Sequence, residues 1–130
     1  MRKATLRRDE RLRGSKHISA LFQKPRSVSK YPFRINWNTD GFPGRPVRVV
    51  FIVSSRKYRK AVTRNRIRRV MRELFRLHKL GLYDVLEQKA LHINMALMYH
   101  GEAEVSYQSL LPSYLRLLEK FLADVQKDSD

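Results

Sequence analysis

The sequence predicts a single α/β domain of the α+β type, its elements following one another as α-β-β-α-β-α with room for one more strand before the central helix. Three observations carry this. Apolar and polar residues alternate over residues 31–38 and 91–99, and residues 47–54 are an apolar, β-branched run. Three other stretches repeat their apolar residues at helical spacing. Finally, 130 residues that are 42% hydrophobic and 10% aromatic suffice for one core.

Residues 1–14 read as a basic arm with little periodicity, disordered or ordered only on contact. Ser15 then offers an N-cap, and Ile18, Leu21 and Phe22 fall at i, i+3, i+4 before Pro25 closes a short helix. Phe33, Ile35 and Trp37 alternate with Arg34, Asn36 and Asn38, the period of a strand whose faces differ in polarity. Residues 40–46, DGFPGRP, are turn chemistry, and with the strand at 47–54 they suggest an antiparallel hairpin. The central helix is expected over about 60–79, with Ile67, Val70, Met71, Leu74, Phe75 and His78 on its core stripe. Asn65, Arg68, Arg69, Arg72, Arg76 and Lys79 fall on its cationic face. A turn at Gly81 leads to the strand at 91–99. Because Pro112 is tolerated best in a first turn, the last helix is placed from about Ser109. The domain thus spans 15–126, with an acidic tail at 127–130.

The charge is uneven. Residues 1–79 hold 24 Lys and Arg against Asp9, Glu10, Asp40 and Glu73, whereas residues 80–130 hold 4 basic and 8 acidic residues. So basic a first part attracts polyanions, nucleic acid before an anionic membrane or an acidic protein. A membrane surface would need a basic helix with a free apolar face, and the apolar stripe of this one is required by the core. No uncharged stretch approaches the roughly 20 residues that span a bilayer. The absence of cysteine removes disulfides and thiolate chemistry and fits a reducing, cytoplasmic setting.

A catalytic constellation is not visible. The first 79 residues offer four carboxylates, two of them beside arginines in the arm, and the four histidines have no metal-ligand spacing. The scattered glycines make no phosphate loop. The exceptional segment is residues 56–79, RKYRKAVTRNRIRRVMRELFRLHK, with eleven basic residues against Glu73 alone. Such a one-signed helix face is self-repelling unless phosphates neutralise it. Arginine, able to grip two phosphate oxygens or stack on a base, suits a structured RNA.

The string AVTRNRIRRVMRELFR at residues 61–76, preceded by VVFIVSSRKYRK, resembles the Arg-Asn-Arg signature of the bacterial ribonuclease P protein family. Weaker likeness extends from about Arg11 to Leu122. The resemblance implies a two-layer α/β sandwich whose small mixed sheet contains a left-handed β-α-β crossover. It implies two partners, a catalytic RNA subunit and the 5′ leader of precursor tRNA. Magnesium would be held mainly by the RNA, with no metal or small-molecule cofactor on the protein and no catalytic residue of its own.

Residue by residue, the resemblance assigns Arg56, Lys57, Lys60, Arg64, Asn65, Arg66, Arg68, Arg69 and Arg72 to the catalytic-RNA surface. A leader cleft between the first helix and the sheet would use Phe22, Arg34 and Asn36. Here Ile18 stands where the family often has Phe, and Lys24-Pro25 where many members have glycine, so leader binding leans on charge and amide hydrogen bonds. Trp37 is expected in the core on the opposite face. The reading from another class is a ribosomal or other structural RNA-binding protein, separable by whether precursor tRNA cleavage depends on the protein.

Overall fold

A computed structural model describes residue 6 and residues 8–24 and 26–127. After a single 3-10 turn at Arg8–Glu10 come α1 (Ser15–Gln23), β1 (Arg26–Lys30), β2 (Phe33–Asn38), β3 (Val47–Val53), α2 (Ala61–Gln88), β4 (Ile93–Tyr99) and α3 (Tyr107–Lys127). The room left for an extra strand is filled by β1, which pairs with β2 across the turn at residues 31–32.

The four strands form one mixed sheet in the order β1-β2-β4-β3. The expected hairpin of β2 with β3 is not made. Instead β4 lies between them, antiparallel to β2 and parallel to β3, so β3, α2 and β4 form a β-α-β unit. Turn chemistry at 40–46 reverses the chain, but it does not dictate which strand pairs next. The loop crosses the start of β4, held by Gly41 N–H to His92 O and Ile93 N–H to Pro46 O. All seven residues of β4 are buried, so the least polar strand takes a central place with both faces covered.

The register separates the sheet's faces. Trp37, Met95 and Val49 share a row toward α2 and α3, in one core with Leu74, Phe75, Leu117 and Phe121. Trp37 is fully buried there, edge-on to Phe121, with its indole N–H given to Asp124 at 3.0 Å. The far face carries two rows, Ser27-Asn36-Ala96-Val50 and Ser29-Arg34-Met98-Ile52. There α1 lays Leu21 and Ile18 in a small cluster with Ala96, Val50, Ile52 and Leu12 of the arm.

Several boundaries differ from the sequence expectation. α2 does not stop at Gly81: Leu82, Tyr83 and Leu86 continue its buried stripe, and that burial outweighs one exposed helical glycine. The helix ends where Ala90 takes φ 55° and Leu91 N–H reaches back to Leu86 O at 2.9 Å, a left-handed C-cap without the usual glycine. α3 begins at Tyr107, two residues early, because Ser106 and Ser109 cap it reciprocally at 3.1 and 3.2 Å; Pro112 lies inside it. α1 starts after Gly14, at φ 95°, with Ser15 already helical and making no cap hydrogen bond.

The arm departs most from expectation. Residues 8–13 pack onto the edge of β3: Leu12 is buried, its N–H bonded to Val49 O at 2.9 Å, and Glu10 is 1% exposed. Residues 1–5 and 7 of the expected arm, Pro25 and residues 128–130 of the expected tail lie outside the described residues.

Candidate nucleic-acid interface

The cationic surface begins in the loop between β3 and α2. Ser54 Oγ accepts Arg56 N–H and Lys57 N–H at 3.2 and 3.3 Å, turning the chain tightly. Buried Tyr58 pins that loop to the end of β4 by donating to Gly101 O at 2.6 Å. Lys57 Nζ donates to His100 O, and Arg64 Nη1 reaches back to Tyr58 O and Arg59 O at 2.8 and 2.9 Å. Arg64 therefore ties the helix to its entry loop. Arg56 and Lys60 remain exposed.

The first turn of α2 contains no acid, while Lys60 stands at its N-cap and Arg64 just inside. Placing cations at the positive end of a helix dipole reverses the stabilising arrangement and concentrates field for an anion. Further along, Asn65, Arg66 and Arg69 are exposed and Arg68 and Arg72 half-buried, with Arg68 donating to Asn65 Oδ1 at 3.3 Å. Glu73 pairs with Arg76 at 2.5 Å, and among the described residues no carboxylate pairs with Arg64, Arg66, Arg68, Arg69 or Arg72. Burial, then proximity to Arg11, Arg68 and Arg69, lowers the Arg72 pKa below its ordinary value. Like charges are crowded together here.

Lys79 is a correction to the cationic face. It is 4% exposed, and its ammonium bonds both oxygens of Glu10 at 3.0 and 2.8 Å, while Tyr83 donates its hydroxyl to the same carboxylate. The arm's acid and the last cation of the expected face neutralise each other inside the protein. Beside them Asp9 pairs with Arg45 at 2.7 Å.

On the far face of the sheet, Phe22 is 47% exposed at the end of α1 and Arg34 is exposed on β2. Asn36 is different: it is 3% exposed, its Nδ2 donates to Leu21 O at 3.1 Å, and its Oδ1 accepts from Ser27 at 2.7 Å and Arg34 at 3.3 Å. It fastens α1 to the sheet and orients Arg34. His100, at the same end as Arg34, has a pKa lowered by burial and then by Lys57 and Arg34. Ile18 is half-buried under α1 rather than offered to a ligand.

Sequence reasoning missed the contribution of the arm. Arg11 and Arg13 share a depression of about 250 Å³ with Arg68 and Arg72, walled by Leu12, Val49, Val50 and Phe51. The available signal was a lone Leu between two arginines, which marks an anchored segment. Among the described residues no three His, Asp or Glu gather into a metal-holding group. Guanidinium and ammonium groups donate hydrogen bonds and carry positive charge, so this surface offers partners to anionic oxygens such as those of phosphate. Among the described residues no helix is long and apolar enough to cross a membrane.

The Ribonuclease P family model matches residues 6–122. The "Ribonuclease P protein component" of Desulfovibrio desulfuricans is 32% identical over 120 residues, covering 92% of this chain and 88% of that one. The protein of the same description from Porphyromonas gingivalis strain W83 is 32% identical over 98 residues, covering 72% and 69%. In fold, the RNase P protein from Thermotoga maritima superposes with a TM-score of 0.65 at 23% identity, over 85% of this chain and 96% of that one. A Staphylococcus aureus RNase P protein gives 0.63 at 22%, over 85% and 93%. With the profile spanning arm, sheet and signature helix alike, the chain belongs to the ribonuclease P protein family.

Proposed function

We propose that the chain is the protein subunit of a cytoplasmic ribonuclease P, binding the catalytic RNA and the 5′ leader of precursor tRNA and supporting magnesium-dependent endonucleolytic removal of that leader. The observation that carries this reading is the one-signed arginine face of α2, without carboxylate partners from Arg64 to Arg72 and set at the positive end of a helix. Arg66, Arg68, Arg69 and Arg72 take phosphates of the catalytic RNA, helped by Arg56, Lys57 and Lys60. Asn65 steadies Arg68, and Arg64 steadies the loop. Phe22 stacks on a leader base and Arg34 meets its backbone, while Asn36 acts from beneath as a positioning residue. The magnesium ions sit on RNA oxygens, and the chemistry is the RNA's.

The test is precursor tRNA cleavage by a transcript of the catalytic RNA at low magnesium, with and without the protein. Cleavage should rise on adding protein, and protein alone should cut nothing. An unchanged rate, or efficient metal-dependent leader removal by RNA-free protein, overturns the reading.

A further inference from the structure

We infer that the N-terminal arm and the β3 edge form a second phosphate-binding site, made by Arg8, Arg11, Arg13, Arg45 and Arg48 and continuous with the signature face. These five arginines and Asp9 line a depression of about 450 Å³ beside the smaller one that Arg11 and Arg13 share with Arg68 and Arg72. The two depressions have Arg11 and Arg13 in common. A cationic strip therefore runs from α2 across the arm to the start of β3, and the signature helix is one end of it.

Three features make this a built site rather than a chance cluster of surface charge. First, the segment bearing Arg8, Arg11 and Arg13 is anchored on both sides: Leu12 is buried with its N–H on Val49 O, and Glu10 lies in the protein interior bonded to Lys79 and Tyr83. Second, the acids nearby are already committed, Glu10 to Lys79 and Asp9 to Arg45, so neither neutralises Arg11 or Arg13. Third, Arg48 is held by its guanidinium lying 4.2 Å over the Phe42 ring, and its buried Nε–H meets no acceptor among the described residues. Arg45 is paired with Asp9, whereas Arg11, Arg13 and Arg48 have no carboxylate partner among the described residues, which is costly to the free protein and suits an acceptor-rich polyanion backbone. Two adjoining depressions with shared arginines fit successive phosphates of a folded RNA better than one isolated anion.

This inference rests on the proposed RNA-binding role, and the experiment separates the two. Binding of a transcript of the catalytic RNA is measured as a function of salt for three variants that each remove two charges: R11Q/R13Q in the arm, R66Q/R69Q on the signature face and R116Q/K120Q on α3. Each lost phosphate contact lowers the log-log salt slope by about 0.7 to 0.9. R11Q/R13Q should therefore flatten the slope by about 1.4 to 1.8 and weaken binding roughly tenfold at moderate salt, as R66Q/R69Q does, while R116Q/K120Q leaves both near the parent values. If R11Q/R13Q behaves as the α3 variant while R66Q/R69Q loses affinity, the arm site is wrong and the signature face stands. If R66Q/R69Q is also silent, the RNA-binding role itself fails. Equal losses in all three mean that net charge alone is felt, and the site is overturned. Circular dichroism confirms folding, and should R11Q/R13Q not fold, R8Q/R13Q gives the same comparison from exposed residues.

Discussion

The two halves of α2 use the same kind of residue for opposite ends. From Ala61 to Arg76 the helix holds its arginines at the surface with Glu73 as the single acid, and it keeps a charge density that repels itself. From Leu77 to Gln88 its cation is Lys79, sunk to 4% exposure against Glu10 and Tyr83. In the first half Arg64, Arg66, Arg68, Arg69 and Arg72 have no carboxylate partner among the described residues, an arrangement useful to an anionic ligand. In the second a cation is wholly satisfied within the fold, which is useful only to the architecture. Exposure and pairing, and not residue type, decide whether a charge belongs to function or to stability.

That contrast breaks first if the buried pair is removed. Taking away one member of a buried ion pair leaves the other charge uncompensated and typically costs about 3 to 5 kcal/mol. Lys79→Ala should therefore destabilise the protein by that order in denaturant unfolding. Leu74→Ala, a cavity in the core stripe, should cost about 2 to 5 kcal/mol. Arg66→Ala and Arg69→Ala, exposed and without carboxylate partners, should change stability by less than about 0.5 kcal/mol. A Lys79 variant as stable as the parent would erase the distinction between the halves.

The next effect is on binding. If about six phosphates are neutralised by the first half of α2 and its loop, affinity for the catalytic RNA should fall roughly a thousandfold between about 50 and 200 mM salt. Lys79→Ala should leave that salt slope unchanged in the folded fraction, because a buried, paired ammonium releases no counterion. Filter binding across a salt series checks both. A flat response would show that the arginine face is not the contact.

A smaller effect is expected at the leader cleft. Phe22 is exposed, so Phe22→Ala should leave the fold intact and weaken precursor tRNA by about 1 to 3 kcal/mol if one base stacks on it, with mature tRNA nearly unaffected. Asn36→Ala should instead loosen α1, lowering stability together with precursor affinity, because its amide holds Leu21 O. Equal losses for precursor and mature tRNA in the Phe22 variant would remove the cleft from the leader's path.

Much of this was legible in the sequence. The helical stripe from Ile67 to Phe75 and the strand alternation around Trp37 come from burial periodicity, and the arginine face follows as its complement. What was not legible is pairing across the chain. Nothing local says that β4 inserts between β2 and β3, since that outcome depends on which strand is apolar on both faces once α1 is in place. Nothing local distinguishes Lys79 from Arg72 or Arg76, because helical phase puts all three near one face and only the distant Glu10 draws Lys79 inward. The C-cap at Ala90 was hidden because a left-handed position without glycine carries no sequence mark, whereas Gly81 carries a mark without the conformation. Asn36 has the phase of a cleft residue, and its commitment to Leu21 O is visible only in three dimensions.

The smallest effect at neutral pH belongs to Tyr83, and it sharpens the contrast in a different variable. Burial, then its hydrogen bond to Glu10, raises the Tyr83 pKa well above the ordinary tyrosine value, and burial raises Tyr99 to about 12. A raised folded pKa means that the neutral phenol is favoured in the fold. Its contribution is complete below the unfolded tyrosine pKa of about 10 and is lost as pH climbs past that value toward the folded one. Stability should therefore hold on the acid side of about pH 10 and decline above it. Tyr83 adds a local consequence, since a phenolate beside the Glu10 carboxylate would undo the anchor of the arm. Hydrogen exchange at Leu12 N–H, which is bonded to Val49 O, should accelerate at alkaline pH before global unfolding. Tyr83→Phe removes the titration while keeping the Glu10–Lys79 pair, so its Leu12 protection should depend less on pH than the parent's. If both proteins lose that protection at the same pH, the anchor lies in the ion pair alone and the hydroxyl contributes only packing.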